Sequence, residues 1–166
     1  MKNIGVMFKQ RAVVSPKLEA YVEPSSGTRV NYQQMNERIN QCASVLRSLD
    51  VCKGDRVALL MPNSLEFCCL FYAAAKIGAV AVPLNTRLAA AELEFILSDS
   101  GSAVLVYGDA FAETVATIKA GTTHPCTVRD WVPAVTGNDS LAKRLKGADA
   151  VEPEVVTGGS DNVFIM

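Results

Sequence analysis

Among 166 residues, the side chains able to do chemistry are five cysteines, a single histidine and a scatter of charges. Cys42, Cys52, Cys68, Cys69 and Cys126 are odd in number, contain no Cys-x-x-Cys spacing and have only His124 as an imidazole companion. The set reads as free thiols in a reducing compartment rather than a zinc site, a disulfide framework or a Cys–His nucleophile. One histidine cannot furnish a triad, and His124, beside Thr123 and Pro125, reads as solvated. Gly158-Gly159-Ser160 has the composition of a phosphate-cradling loop, but such a loop follows a strand and opens a helix so that its N–H groups converge on the anion. This one follows a polar stretch and precedes an apolar one, as a connector does. Glu66 and Lys76 stand at opposite ends of an otherwise apolar segment and read as end-of-helix charges. Asp99 and Asp109 lie beside helix ends and read as caps. That leaves Arg87, in the polar turn Asn85-Thr86-Arg87. By type alone it is a solvated charge, although a planar guanidinium suits paired, charge-assisted bonds to an oxyanion.

The segment that carries this turn, residues 56–88, reads as strand, helix, strand and turn. Arg56–Met61 holds Val57, Ala58, Leu59, Leu60 and Met61 without polar alternation, the mark of a parallel strand covered on both faces. Pro62 ends it. Asn63 is placed to cap a helix over Ser64–Ile77, with Glu66 reaching back as in a capping box. From Leu65 to Ile77 only Glu66 and Lys76 are polar, so this helix must be packed on most sides. Gly78 supplies a left-handed stop, and Ala79–Val82 is a second apolar strand closed by Pro83. A helix between two short apolar strands is a βαβ crossover.

On either side the pattern continues. Asn3 caps a short helix over Ile4–Val13 with Ile4, Met7 and Phe8 on one face. Leu18–Glu23 and Thr28–Tyr32 form strands around the turn Pro24–Gly27. Asn31 caps the next helix, in which Met35, Ile39, Cys42, Leu46 and Leu49 recur at spacings of four, three, four and three, with Asn36, Arg38, Gln41 and Arg47 on wetter faces. Downstream come a helix over Ala89–Ser98 with Leu93, Ile96 and Leu97 inward, a strand at Ala103–Tyr107, and a helix from Asp109 to about Lys119. Cys126–Trp131 is a candidate strand and Ser140–Lys146 a short helix. Residues 147–161 read as a loop or linker, and Asn162–Met166 as a further buried strand. Alternating strands and helices from residue 56 onward imply an α/β fold: a doubly wound, mostly parallel sheet with helices on both faces.

Composition bounds the function. The apolar fraction is 49%, the charged fraction 20% and the net charge −1. These are globular values, with no electrostatic footprint for nucleic acid. No signal peptide is visible, and Leu65–Val82 contains Glu66, Lys76 and Gly78, so it reads as buried helix plus strand rather than a transmembrane segment. A cytoplasmic location is expected.

Beyond periodicity, the strings PNSLEF (62–67), GAVAVPLNTRLAAAELEFILSDSG (78–101), VNYQQMNERINQCASVLRSL (30–49) and GSDNVFIM (159–166) together resemble the N-terminal region of the adenylate-forming, or AMP-binding, acyl-CoA synthetases. The similarity is greatest to the long-chain fatty-acyl-CoA ligases, and 121–158 is the least characteristic stretch. In that family the strand matching Asn162–Met166 leads into a Ser/Thr/Gly-rich ATP-phosphate loop. The resemblance therefore implies that residues 1–166 are an N-terminal subdomain ending just before that loop. It implies a full-length enzyme that converts ATP, a fatty acid and CoA into acyl-CoA, AMP and pyrophosphate through an acyl-adenylate, with Mg²⁺ balancing phosphate charge. It also implies that Arg87, in the matching Asn-x-Arg-Leu turn, lies near the nucleotide phosphates of CoA.

Three expectations follow for the chain itself: no catalytic residue or metal ligand within it, no ATP, CoA or Mg²⁺ held by it alone, and self-association through an uncovered sheet edge. Contact with a membrane surface stays open. Two rival functions remain, a noncatalytic α/β module that binds an acyl or nucleotide ligand, and an interaction protein that uses an exposed sheet edge.

Overall fold

The run Val57, Ala58, Leu59, Leu60 forms the core of β3 (Arg56–Leu60), and all four residues are fully buried. A computed structural model describes residues 3–121, 127–137, 139–154 and 157–165. In it β4 (Val80–Pro83) pairs parallel along one edge of β3 and β5 (Ser102–Tyr107) along the other, with β6 (Asp130–Pro133) beyond β5. The order is β4-β3-β5-β6. Successive residues of a strand point to opposite faces. Val57 and Leu59 accordingly join one core cluster, and Ala58 and Leu60 the other.

Two helices cover the first face. α2 (Tyr32–Ser48) begins with a capping box: Asn31 Oδ1 accepts from Gln34 N at 2.9 Å and Gln34 Oε1 accepts from Asn31 N at 3.1 Å. Its expected stripe of Met35, Ile39, Cys42, Leu46 and Leu49 is buried throughout. α3 (Leu65–Ile77) packs on α2, and its cap corrects the sequence reading. Ser64 rather than Asn63 holds the extended cap geometry, and its hydroxyl accepts from Phe67 N at 3.1 Å. The helix thus starts one residue later than the Asn63 reading requires, and Glu66 is not the reciprocal partner. Gly78 ends it at φ 75°, as expected.

The second face is covered by α4 (Ala90–Asp99) and α5 (Ala112–Ala120). Leu93, Leu97, Val115 and Ile118 are their buried residues from the apolar set, while Ile96 is only partly covered. With helices on both faces of a parallel sheet, the chain has the expected doubly wound α/β architecture.

At the N-terminus Asn3 Oδ1 caps a 3-10 turn, Ile4–Val6, by accepting from Gly5 N at 2.7 Å, and α1 (Met7–Val14) follows. The expected apolar face is not the buried one, for Met7 is exposed and Gly5 is buried. The reason is a close backbone approach: a Cβ on Gly5 would lie 2.5 Å from Lys76 N. Phe8 anchors α1 by an edge contact with Tyr72, ring centroids 4.6 Å apart. β1 (Glu19–Glu23) and β2 (Thr28–Asn31) form a separate antiparallel hairpin.

The candidate strand at Cys126–Trp131 is displaced, since β6 begins at Asp130. Cys126 and His124 lie outside the described residues. α6 (Leu141–Leu145) buries Leu141 as expected. Residues 147–161 contain no helix or strand among those described. Near the C-terminus Ala81 N donates to Val163 O at 2.8 Å and Ile165 N to Ala81 O at 3.0 Å, a single parallel bridge from Phe164 to the outer edge of β4. Phe164 and Ile165 are 48% and 45% exposed, so the expected buried strand is here an uncovered edge segment. Met166 lies outside the described residues.

Candidate functional site

In an open α/β sheet, ligands bind beyond the carboxyl ends of the strands, where successive connections leave in opposite directions. The connection from β3 runs to β4 on one side. The next crosses back over β3 to β5 on the other. Parallel pairing gathers at this one end the turns after all four strands: 61–64, 84–87, 108–109 and 134–136.

Arg87 belongs to this end. Its turn is built by Asn85, whose Oδ1 accepts from Arg87 N at 3.0 Å and whose carbonyl accepts from Leu88 N at 3.2 Å. A local Asx turn of this kind fixes backbone direction and leaves the side chain outward. The guanidinium is exposed and has no hydrogen-bond or ion-pair partner among the described residues. It is a cation positioned by its backbone and free to meet an anion.

Asp109 sits at the same end with a different task from the cap expected of it. Its carboxylate accepts from Val135 N at 3.1 Å and from Thr136 N at 3.1 and 3.3 Å, tying the turn after β5 to the turn after β6. The Val135 hydrogen bond, opposed by partial desolvation and aided by Thr136, holds this carboxyl below its ordinary range. Asp99 is the exposed last residue of α4 and makes no capping bond among the described residues.

Gly158-Gly159-Ser160 lies at the opposite end of the sheet, near the residues that enter β3. Gly158 N donates to Asp161 Oδ2 at 2.7 Å, and the same carboxylate pairs with Lys53 Nζ at 2.8 Å. An acidic side chain already occupies the turn's donor, so the connector reading is the fitting one.

Lys76 overturns its reading as an end-of-helix charge. Its side chain is only 1% exposed, and Nζ donates to Asn36 Oδ1 at 2.8 Å, Asn40 Oδ1 at 2.5 Å and Glu152 Oε2 at 2.9 Å. Asn40 Nδ2 also donates to Ala150 O at 2.9 Å. This network fastens residues 150–152 onto α2 and α3. Its signal in the sequence was a lysine in an otherwise apolar helix, but the partner is 76 residues away.

No group of three or more His, Cys, Asp or Glu side chains that could hold a metal ion occurs among the described residues. Four free cysteines are described, with Cys42 and Cys69 buried, Cys68 half-buried and Cys52 exposed. No helix is long and apolar enough to cross a membrane among the described residues.

A doubly wound sheet presenting an unpaired arginine at its carboxyl end defines a fold class, and comparison with known proteins gives the family. Residues 8–166 match the family model described as AMP-binding enzyme, and the chain belongs to that family. It is 62% identical over 166 residues to the long-chain-fatty-acid–CoA ligase FadD13 of Mycobacterium tuberculosis, covering all of this chain and 32% of that protein. A feruloyl-CoA synthase from an Amycolatopsis species is 41% identical over 120 residues. Among solved structures, the N-terminal domain of FACL13 from Mycobacterium tuberculosis superposes with a TM-score of 0.94 at 62% identity, covering all of this chain and 41% of that one. The anthranilate CoA ligase AuaEII, in complex with anthranoyl-AMP, superposes at a TM-score of 0.80 and 25% identity over 90% of this chain. The chain thus spans about a third of the length of FadD13. It corresponds to that ligase's N-terminal part.

Proposed function

We propose that the chain is the N-terminal subdomain, residues 1–166, of a long-chain fatty-acid–CoA ligase, with 147–161 as its internal linker. The observation that carries this is 62% identity to FadD13 sustained over every residue of the chain. In the reaction a fatty-acid carboxylate attacks the α-phosphorus of ATP, giving acyl-adenylate and pyrophosphate, and the CoA thiol then attacks the acyl carbonyl and expels AMP. Mg²⁺, when bound, offsets the phosphate charge. The described residues offer no cluster to hold it, so no step through the metal is assigned to them.

The chain's own contribution is placement. Buried β3 and β5 hold the turns at the carboxyl end of the sheet, Asp109 locks two of those turns together, and Asn85 orients the Arg87 backbone. Arg87 then meets a CoA phosphate through charge-assisted hydrogen bonds. We place the enzyme in the cytoplasm, consistent with the free cysteines.

Fatty-acid-dependent exchange of pyrophosphate into ATP tests the reading. The full-length enzyme is expected to catalyse it. The 166-residue chain alone is expected not to, and to bind ATP no tighter than about millimolar, roughly −4 kcal/mol. Stoichiometric micromolar ATP binding to the chain alone would overturn the assignment of the chain as scaffold. Absence of exchange with every fatty acid in the full-length enzyme would overturn the assignment as ligase.

A further inference from the structure

Three side chains from two packed helices aim their hydrogen-bond donors at one carboxylate, and the ligase chemistry uses none of them. Asn36 and Asn40, four residues apart, share a face of α2, and Lys76 reaches them from α3. Lys76 Nζ donates to the side-chain oxygen of Asn36 at 2.8 Å and of Asn40 at 2.5 Å. With both oxygens engaged, both amide nitrogens turn toward Glu152. Asn40 Nδ2 lies 3.2 Å and Asn36 Nδ2 3.4 Å from Glu152 Oε2, and Lys76 Nζ lies 2.9 Å from the same oxygen and 2.8 Å from Oε1.

We propose that Lys76, Asn36 and Asn40 form a carboxylate-binding site that belongs to α2 and α3, that Glu152 is its tethered ligand, and that a small monocarboxylate, acetate, takes the same place when that side chain is withdrawn. The inference is independent of the ligase reading. Rigidity is the first argument. The donors stand on helices fixed by the core, with the Lys76 side chain 1% and Asn40 3% exposed, whereas the Glu152 side chain is 25% exposed and comes from residues 148–154, which form neither helix nor strand. The two bonds from Lys76 Nζ to the asparagine oxygens do not involve the glutamate, so they hold the donors in place without it. Chemistry is the second. An empty site would leave a buried cation and two amide donors short of an acceptor, a cost that a bound carboxylate removes. Its planar pair of oxygens takes an ammonium and flanking amides together, through charge-assisted bonds. Access is the third. Glu152 lines a groove of about 440 Å³ with Ser44, Arg47 and Asp149, so a small acid reaches the donors without unfolding the core.

Residues 148–154 are thereby a strap held through an exchangeable group. Asn40 Nδ2 also donates to Ala150 O at 2.9 Å. Ala150 lies in turn on the wall of a groove of about 510 Å³, across from Val30 and Leu65. The same three donors therefore set how firmly that wall is held.

Glu152→Ala removes CH2–COO⁻, the group that acetate supplies, and so vacates the site. The test is the melting temperature of this variant in rising sodium acetate, against sodium chloride of equal ionic strength, at neutral pH. Acetate is expected to raise it saturably, with half-saturation at about 1 to 100 millimolar, because only the folded state presents the donors and so small a ligand binds weakly. The wild type, its site filled, should respond alike to the two salts. Adding Lys76→Met to Glu152→Ala should abolish the acetate effect, and adding Asn40→Leu should raise the half-saturation concentration about tenfold. A Glu152→Ala protein that responds alike to acetate and chloride would overturn the proposal. So would an acetate response that survives Lys76→Met or is equally large in the wild type. Should Glu152→Ala not fold in buffer alone, recovery of native circular dichroism on refolding in acetate but not in chloride is the expected result, and no recovery in either is the overturning one.

Discussion

Lys76 Nζ and Glu152 Oε1 lie 2.8 Å apart, with the lysine side chain 1% and the glutamate side chain 25% exposed. Two effects compete at this pair. Burial lowers the lysine's pKa, against the hydrogen bond and charge of Glu152 that raise it. Burial likewise pushes Glu152 up, but its bonds to Lys76, Asn40 and Asn36 and the lysine's charge bring it below the ordinary carboxylate value. Removing one member of a buried pair leaves an uncompensated charge, at a cost of about 3–5 kcal/mol, while replacing both by apolar groups is often neutral. Glu152→Ala is therefore expected to destabilise the fold by about 3 kcal/mol, and Lys76→Met combined with Glu152→Ala by much less. Urea denaturation measures both, and equal losses in the single and double variants would count against a coupled pair.

The same pair sets a pH dependence. Glu152 has its pKa depressed in the folded state, so its contribution is present above the unfolded carboxylate pKa of about 4.3 and is lost as pH falls through the folded value. Glu152→Gln should flatten this acid limb of the stability curve. An unchanged acid midpoint would assign the limb to other carboxylates.

The helix cap separates two neighbouring residues that are both capable of capping. Ser64 Oγ accepts from Phe67 N at 3.1 Å, while Asn63 is exposed and bonds to no backbone group among the described residues. Ser64→Ala should cost about 1 kcal/mol. Asn63→Ala should stay within about 0.5 kcal/mol, as for other surface changes. Thermal denaturation of the two variants side by side decides between them.

What was legible in the sequence was whatever local spacing determines. The stripe on α2 has no alternative burial, the unbroken apolar run of β3 demands cover on both faces, and Gly78 is a left-handed stop wherever the helix begins. Contacts between distant segments were not legible. Gly5 is buried because the backbone of α3 at Lys76 comes too close for a side chain, and no periodicity announces that. Asp109 finds its partners 26 and 27 residues later in a turn, and Lys76 finds Glu152 beyond three further strands. The Arg87 turn was legible as a turn because Asn85 closes it locally. The phosphate partner proposed for it rests only on family resemblance, since an exposed arginine reads the same whether or not a ligand visits it.

Arg87 is tested by separating the two half-reactions in the full-length enzyme. A hydrogen bond from a charged group is worth roughly 1.5–3 kcal/mol, so Arg87→Ala should slow the CoA-dependent step by about ten- to a hundredfold and leave adenylate formation nearly unchanged. Arg87→Lys should recover only part of the loss, because an ammonium keeps the charge without the planar fork. Equal losses in both half-reactions would make Arg87 a structural residue of the turn.

The last expectation concerns the sheet edge beside β4. Residues 163–165 pair with Ala81 on one side through two hydrogen bonds, and nothing pairs with their other side among the described residues. Phe164 packs at a tilt against Phe71, ring centroids 5.8 Å apart, yet both it and Ile165 stay about half exposed. An apolar segment with free N–H and C=O groups is a template for another strand, and a charge placed on such an edge blocks that pairing. The 166-residue chain is therefore expected to self-associate with rising concentration, and Phe164→Lys to shift it toward monomer with little change in melting temperature. Light scattering across a concentration series measures this, and a strict monomer at every concentration would show that the edge is already protected.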